Sequence, residues 1–310
     1  MKLLTIAIPT FNRFEFAEKQ LNFVIEQVKN NSFEQYISVL IIDNCSPDNT
    51  QERLKTTYHE SFVSILRNEE NIGLVANCLK CITESDTEYT WVVGDDDPLG
   101  NGTITSIIEF LLNGQDVGLL HLNHKCIDKT NGPIIIERFY NVQNDSRGKT
   151  ELINSLLSET HTGGFMFITA NVVKTKIGKK IIESSSSIKT MLSYPMYFYL
   201  TCGLQHGIYF MSSNELTCVY NQSSWVLQYE RLMTLELPRL WLLLYRKGLS
   251  KKNINHLIQN HSDLLSPYMI QGLKDVVRKR NSFGRFVTHT ILVSKIRLLY
   301  KFYKVKWIFQ

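Results

Sequence analysis

The feature that most constrains the fold is an alternation in the first 120 residues. Four short runs, "LLTIAI" (3–8), "YISVLIID" (36–43), "FVSIL" (62–66) and "YTWVV" (89–93), are β-branched and apolar on both faces. Such runs suit parallel strands covered by helices on both sides. Between them lie helical stretches at about 15–29, 49–57 and 74–83, and a fourth at about 103–112 leads into "VGLLHL" (117–122). Strand and helix repeated with short loops predict a doubly wound α/β sheet with right-handed crossovers.

In sheets of this kind ligands gather beyond the C-terminal ends of the strands. The polar segments fall at those ends: "PTFNR" (9–13), "DNCSPDNT" (43–50), "RNEENIG" (67–73) and "GDDDPLG" (94–100). The last places three adjacent carboxylates after Trp91-Val92-Val93, and their repulsion needs compensation. A solvated acidic turn is one answer and a bound cation the other. Mg2+ and Mn2+ prefer oxygen ligands and are often held by one or two carboxylates plus substrate phosphates, which suits this rim. Asp43 reads either as a hydrogen-bond acceptor for a nucleotide's base or ribose, or as an Asx turn or N-cap. Asn71 and Gly73 read either as a plain helix start, or as one that lets amides approach phosphate oxygens.

The 310 residues leave room for one large domain or two smaller ones. A net charge of +5 is local: from residue 274 onward ten Lys or Arg face one acid, Asp275, leaving 24 basic against 28 acidic residues elsewhere. The six cysteines have no framework spacing, so Cys78 and Cys81 are expected as buried free thiols rather than half a zinc site. The apolar N-terminal run stops at Pro9, short of a signal peptide's, and no stretch of about 18 apolar residues occurs, so a cytoplasmic protein is expected. "GGFMFITANVV" (163–173) reads as a strand entering a helix and "HGIYFMS" (206–212) as another strand. Beyond about 220 the chain turns helical, with "LWLLLYRKG" (240–248) ending at a glycine.

"TIAIPTFNR", "VLIIDNCSPDNT", "RNEENIGLVANC" and "YTWVVGDDDPL" together resemble, in order and spacing, the nucleotide-binding half of family 2 glycosyltransferases with the GT-A fold. The resemblance is strong over about 1–120 and looser over 120–215, and is greatest to bacterial surface-polysaccharide enzymes of the abequosyltransferase type, which build capsule or O-antigen. It implies a GT-A (Rossmann-like), mostly parallel sheet flanked by helices. Its organisation would be a nucleotide-sugar half (1–120), an acceptor half (121–215) and a helical C-terminal region (216–310). It implies that Pro9, Thr10, Asn12 and Arg13 line the nucleotide pocket, that Asp43 holds the base, and that Asn71 and Gly73 shape the floor near the ribose. The family's aspartate motif usually reads Asp-x-Asp-Asp. Here Gly94 takes the first position, which makes Asp96 the metal-facing carboxylate, with Asp95 reaching the ribose or the cation. The implied reaction is transfer from a nucleotide-sugar donor to a glycan acceptor with inversion.

A general base should take the acceptor's proton. Relatives carry an acidic pair about a hundred residues after the aspartates, whereas "KTMLSYPMYFYLTCGLQHG" (189–207) holds no acid. Asp97 and His161 are the candidates, with Glu159 and His206 behind them. The aromatic "YPMYFYL" is expected in the core, with Tyr194 and Tyr197 as alternative acceptor contacts. The C-terminal tail interleaves cations with aromatic and aliphatic residues, the pattern of an interfacial helix on anionic lipid. A packing helix or a nucleic-acid contact would use the same residues, but lipid-linked acceptors favour the inner face of the plasma membrane over nucleic acid. The rival functions are another Mg-dependent phosphate enzyme and a catalytically silent membrane-associated binding module. A phosphatase would want Asp-x-Asp after the first strand, where this chain has "PTFNR".

Overall fold

The computed structural model describes residues 2–129, 131–159, 164–185, 190–220, 232 and 236–254. The chain divides into two compact units, Met1–Ser223 and Ser224–Gln310. In the first, β1 (Leu4–Thr10), α1 (Phe14–Asn30), β2 (Ile37–Asp43), α2 (Thr50–Thr57), β3 (Val63–Arg67), α3 (Leu74–Thr83), β4 (Tyr89–Val92) and α4 (Thr103–Leu112) alternate as expected. Then come β5 (Leu119–Asp128), β6 (Ile134–Ile136), β7 (Ser146–Gly148), α5 (Thr150–Glu159), β8 (Asn171–Lys174), α6 (Thr175–Ser184), α7 (Tyr194–His206) and β9 (Ile208–Tyr220).

The strand order is β3-β2-β1-β4-β8-β5-β9-β7, with β6 on the side of β5. The first four strands are parallel. β8 enters antiparallel between β4 and β5, so the second half of the sheet is mixed. β1 and β4 are buried along their whole length, and α1 covers β1 with Ala17, Leu21, Val24, Ile25 and Val28, spaced for one helix face. β3 departs from the expected two-sided burial, because it is the edge strand and its residues alternate between half-buried and exposed.

β2 and β3 lie on one side of β1 and β4 on the other, so the chain reverses its winding between β1 and β4. Crevices outside the carboxyl ends of strands form at such switch points. In the second unit α8 (Leu237–Arg246) buries Leu237, Leu240, Trp241 and Leu244, and Gly248, at φ +108°, follows its end. Among the described residues no helix is long and apolar enough to cross a membrane. The basic tail lies outside them.

Candidate active site

Beyond β1 and β4, across the switch point, two loops meet through their charges. Thr10 ends β1 and donates its hydroxyl to Asp95 Oδ2 at 2.8 Å. Arg13 Nη1 stands 3.1 Å from Asp95 Oδ1, and Nη2 donates to Asp96 Oδ2 at 2.6 Å. The guanidinium also lies over the Phe16 ring, 4.4 Å from its centroid. Asp95 is buried, whereas Arg13 and Asp96 are 39% and 37% exposed. A pair that open contributes at most about 1 kcal/mol to stability. Stability is therefore a weak reason for the Arg13–Asp96 pair, whereas the buried Asp95 carboxylate draws on both Arg13 and Thr10.

Asp97 turns the other way. Its Oδ2 accepts from the Thr169 hydroxyl, its main-chain oxygen accepts from Gln20 Nε2 at 3.1 Å, and the Gly94 N–H donates to Thr169 Oγ1 at 2.9 Å. Thr169 is held from the core, since the buried Trp91 of β4 donates its indole N–H to the Thr169 carbonyl at 2.7 Å. Gly94 has a physical reason here: a Cβ at that position would stand 2.4 Å from Asp97 Oδ2. The carboxylate of Asp97 thus fills the space that a side chain at 94 would take. Further along the same loop, a Cβ on Gly102 would meet Glu215 Oε1 at 2.6 Å, and the Thr217 N–H donates to the Pro98 carbonyl at 3.2 Å. β9 therefore braces the aspartate loop from behind.

Burial pushes Asp95 up to about 6, against the pull of Arg13 and the Thr10 hydroxyl. It pushes Asp97 up to about 7, opposed by Thr169 and reinforced by the neighbouring aspartates. The loop's repulsion is thus eased by a cation, two hydroxyls and a readiness to hold protons.

The second strand builds the adjoining wall. Asp43 is fully buried at the end of β2, where Oδ1 accepts from both the N–H and the hydroxyl of Ser46, and Oδ2 pairs with Arg67 Nη1 at 2.6 Å. Arg67 also donates to the Ser46 carbonyl at 3.0 Å, and the Asn12 N–H donates to Ser46 Oγ at 2.7 Å. Arg67 reaches in from a partly exposed position, so Asp43, buried and held by three groups, organises the wall whatever else it does. Asn12 and Cys45 both take left-handed backbone conformations, at φ 53° and 64°, uncommon for residues other than glycine.

Behind this wall Asn44 links the pieces. Its Nδ2 donates to Asn71 Oδ1 at 2.8 Å, while its Oδ1 accepts from Asn68 Nδ2 and the Ile72 N–H. Asn71 Oδ1 accepts the Gly73 N–H as well, at 2.9 Å, and Gly73 is the N-cap of α3. Asn68 Nδ2 also donates to Asn77 Oδ1 at 2.9 Å. Thr10, Arg13, Asp95 and Asp96 are thus in direct contact. Pro9 sits buried in β1 beside Ile42 of β2, and Asn12, Asp43, Asn71 and Gly73 line the neighbouring loops. His161 lies outside the described residues.

Several members are not singled out by the sequence reading. Arg67, Asn44 and Asn68 sit in quoted loops, but only the fold shows which face inward. Thr169 belongs to 163–173, read as a strand entering a helix; the strand, β8, starts only at Asn171 and does lead into α6, while the residues before it form two single 3-10 turns, Gly164–Met166 and Ile168–Ala170. Tyr194 and Tyr197 are buried, the first sharing a 2.5 Å hydrogen bond with Ser185 Oγ, as expected of core residues. Cys78 and Cys81 are buried thiols, pushed up by burial, Cys78 to about 12. His206 engages Asp116 at 3.2 Å beside Lys174.

The donors at the rim are hard carboxylate oxygens, and the Arg13 guanidinium is the cation between two of them. Among the described residues no three His, Cys, Asp or Glu side chains are grouped to hold a metal. Asp96 and Asp95 fit an ion held by one or two carboxylates and completed by ligand oxygens.

Residues 5–171 match the family described as Glycosyl transferase family 2. The chain is 28% identical over 210 residues to abequosyltransferase RfbV of Salmonella typhimurium, covering 64% of this chain and 60% of that protein. It is 28% identical over 130 residues to the uncharacterized glycosyltransferase MG060 of Mycoplasma genitalium, covering 41% and 43%. Staphylococcus aureus TarS 1-349, in complex with UDP-GlcNAc, superposes with a TM-score of 0.63 at 14% identity, covering 93% of this chain and 81% of that one. The mannosyltransferase PcManGT of Pyrobaculum calidifontis, in complex with GDP-Man and Mn2+, gives 0.56 at 11% identity, covering 95% and 86%. These structures share the α/β sheet flanked by helices of the GT-A fold.

Proposed function

The chain belongs to glycosyltransferase family 2, and from that membership we propose that it moves a sugar from a nucleoside-diphosphate sugar to a glycan acceptor. One observation carries the reading: Thr10 and Arg13 beyond β1 meet Asp95 and Asp96 beyond β4 across the switch point. Such a rim receives a phosphorylated ligand. Residues 1–215 form the transferase domain in this reading.

Asp96, with Asp95, would hold Mg2+ or Mn2+, which when bound supplies positive charge against that developing on a departing diphosphate. Arg13 offers a planar fork to phosphate oxygens. Asp43, braced by Arg67, would hold the base, with Pro9, Thr10 and Asn12 along the same pocket and Asn71 and Gly73 beneath the ribose. Asp97, pushed up to about 7, is poised to take the acceptor hydroxyl's proton near neutral pH. His161 is the other candidate for that proton. A single displacement on the donor sugar inverts its anomeric centre.

The acceptor is proposed to be lipid-linked, in a pathway of capsule or O-antigen type, on the resemblance of the sequence motifs to bacterial surface-polysaccharide enzymes and the 28% identity to an abequosyltransferase. The basic tail would then hold the enzyme to anionic lipid, and removing everything after Asn281 should lower binding to anionic vesicles several-fold; equal binding by both chains refutes that role. A melting-temperature screen against UDP-, GDP-, CDP- and dTDP-sugars, with and without Mn2+, tests the whole reading. One donor class should raise the melting point and undergo hydrolysis or transfer. No shift and no turnover with any donor would end it.

A further inference from the structure

Arg13 stands where a cation is locally unfavourable. It is the N-cap residue of α1, makes no side-chain capping bond, and brings positive charge to the positive end of a 17-residue helix. Its bond to Asp96 is too exposed to add much to stability. Its return comes instead from the buried Asp95, 3.1 Å away, and a residue that breaks a local rule to serve carboxylates on another loop marks a functional demand. That demand is visible: Asp95, Asp96 and Asp97 all act on Arg13, whose guanidinium lies over Phe16 and turns its Nη1 and Nη2 ends to Asp95 and Asp96.

We propose that Arg13 is a built-in countercation of Asp95 and Asp96 that exchanges with the divalent ion. In the ligand-free protein the guanidinium holds both carboxylates. When a metal takes them, the fork is released to the oxygens of the donor's diphosphate, which it matches as well as it matches carboxylates. The start of α1, which disfavours a cation, favours the phosphate that the released arginine would bring there. The exchange rests on the transferase reading for the identity of the phosphate ligand, but the competition between Arg13 and metal needs no substrate.

The full chain, titrated with Mn2+ in the absence of nucleotide and followed by the EPR signal of free Mn2+, tests the competition. Arg13→Ala should bind Mn2+ at least about fivefold tighter than the wild type, the gain expected from releasing the exposed Asp96 pair alone. Arg13→Lys keeps the charge but loses the fork and should fall between the two. Equal or weaker Mn2+ binding by Arg13→Ala overturns the proposal, as does an absence of Mn2+ binding by both chains. The affinity for a nucleoside diphosphate without metal should fall in Arg13→Ala, and an unchanged value removes the phosphate half of the exchange. Failure of every nucleotide sugar to bind would count against the transferase reading while leaving the Mn2+ comparison standing.

Discussion

The two halves of the sheet house their polar groups in opposite ways. At the rim of β1, β2 and β4, carboxylates keep partners: Asp95 has Thr10 and Arg13, Asp43 has Ser46 and Arg67. In the second half, β5 carries His121 and His124 into an aromatic interior. His121 stacks on Phe165 with centroids 4.1 Å apart, and His124 on Phe139 at 4.5 Å. Asn171 donates to the Phe167 carbonyl, which turns its Oδ1 toward His121 Nδ1 and makes that nitrogen the proton donor. His121 Nε2 and His124 Nδ1 have no hydrogen-bond partner among the described residues. Burial acts on both halves but with opposite sign on the titration. It pushes Asp95 and Asp97 up, and holds His121 down to about 4 and His124 to about 3. The rim is built to exchange charge, and the histidine half to exclude it.

The largest expected effect is at the rim. Asp96→Asn should lower transfer roughly a thousandfold while the melting temperature hardly moves, because a 37% exposed carboxylate holds no core together. Steady-state rates beside a thermal melt decide this, and near-normal turnover would erase the contrast between a working rim and a structural interior. Next is Asp97. The wild-type rate should rise with pH as its carboxyl loses a proton, at or below the value of about 7 that burial sets in the metal-free protein, and Asp97→Asn should lose both that step and about a hundredfold in rate. An unchanged step in the variant would assign the proton to another group.

The smallest effect falls on the histidine half. In the unfolded chain these imidazoles titrate near 6.5. Their folded values lie lower, so the stability they contribute is complete above about 6.5 and is lost as pH falls toward 4. Asp97 works the other way, since its raised value favours the folded state on acidification. His124→Phe removes one histidine contribution and leaves Asp97 in place. The loss of unfolding free energy between pH 7 and 4.5 should shrink by roughly 2 kcal/mol. An identical pH slope in denaturant melts of the variant and the wild type would show that His124 is not excluded as a charge.

Much of this contrast was already legible in the sequence on the rim side. Two-sided apolar runs have few alternatives to a covered parallel sheet, and that sheet puts the segments after β1, β2 and β4 at one end. The second half was harder to read because its pattern is set by contacts distant in the chain. β9 runs on to Tyr220, well past the apolar "HGIYFMS", because β5 lies beside it as a parallel partner. Residues 163–173 look like a strand entering a helix, yet the strand is confined to β8 from Asn171, because Phe165 is spent on His121 and Thr169 on Trp91 and Asp97 in the turns before it. "LWLLLYRKG", by contrast, carries its own stop signal and ends as read.

The amino-acid sequence by itself determined the alternating sheet, its acidic rim and its family, because periodicity and strand-end loops are local properties of the chain. Tertiary structure alone decided that the Gly94 N–H reaches the Thr169 hydroxyl, that Trp91 holds the Thr169 carbonyl, and that Arg13 reaches both Asp95 and Asp96. Those are meetings of residues some 75 to 85 positions apart, and no local pattern carries the distance between them.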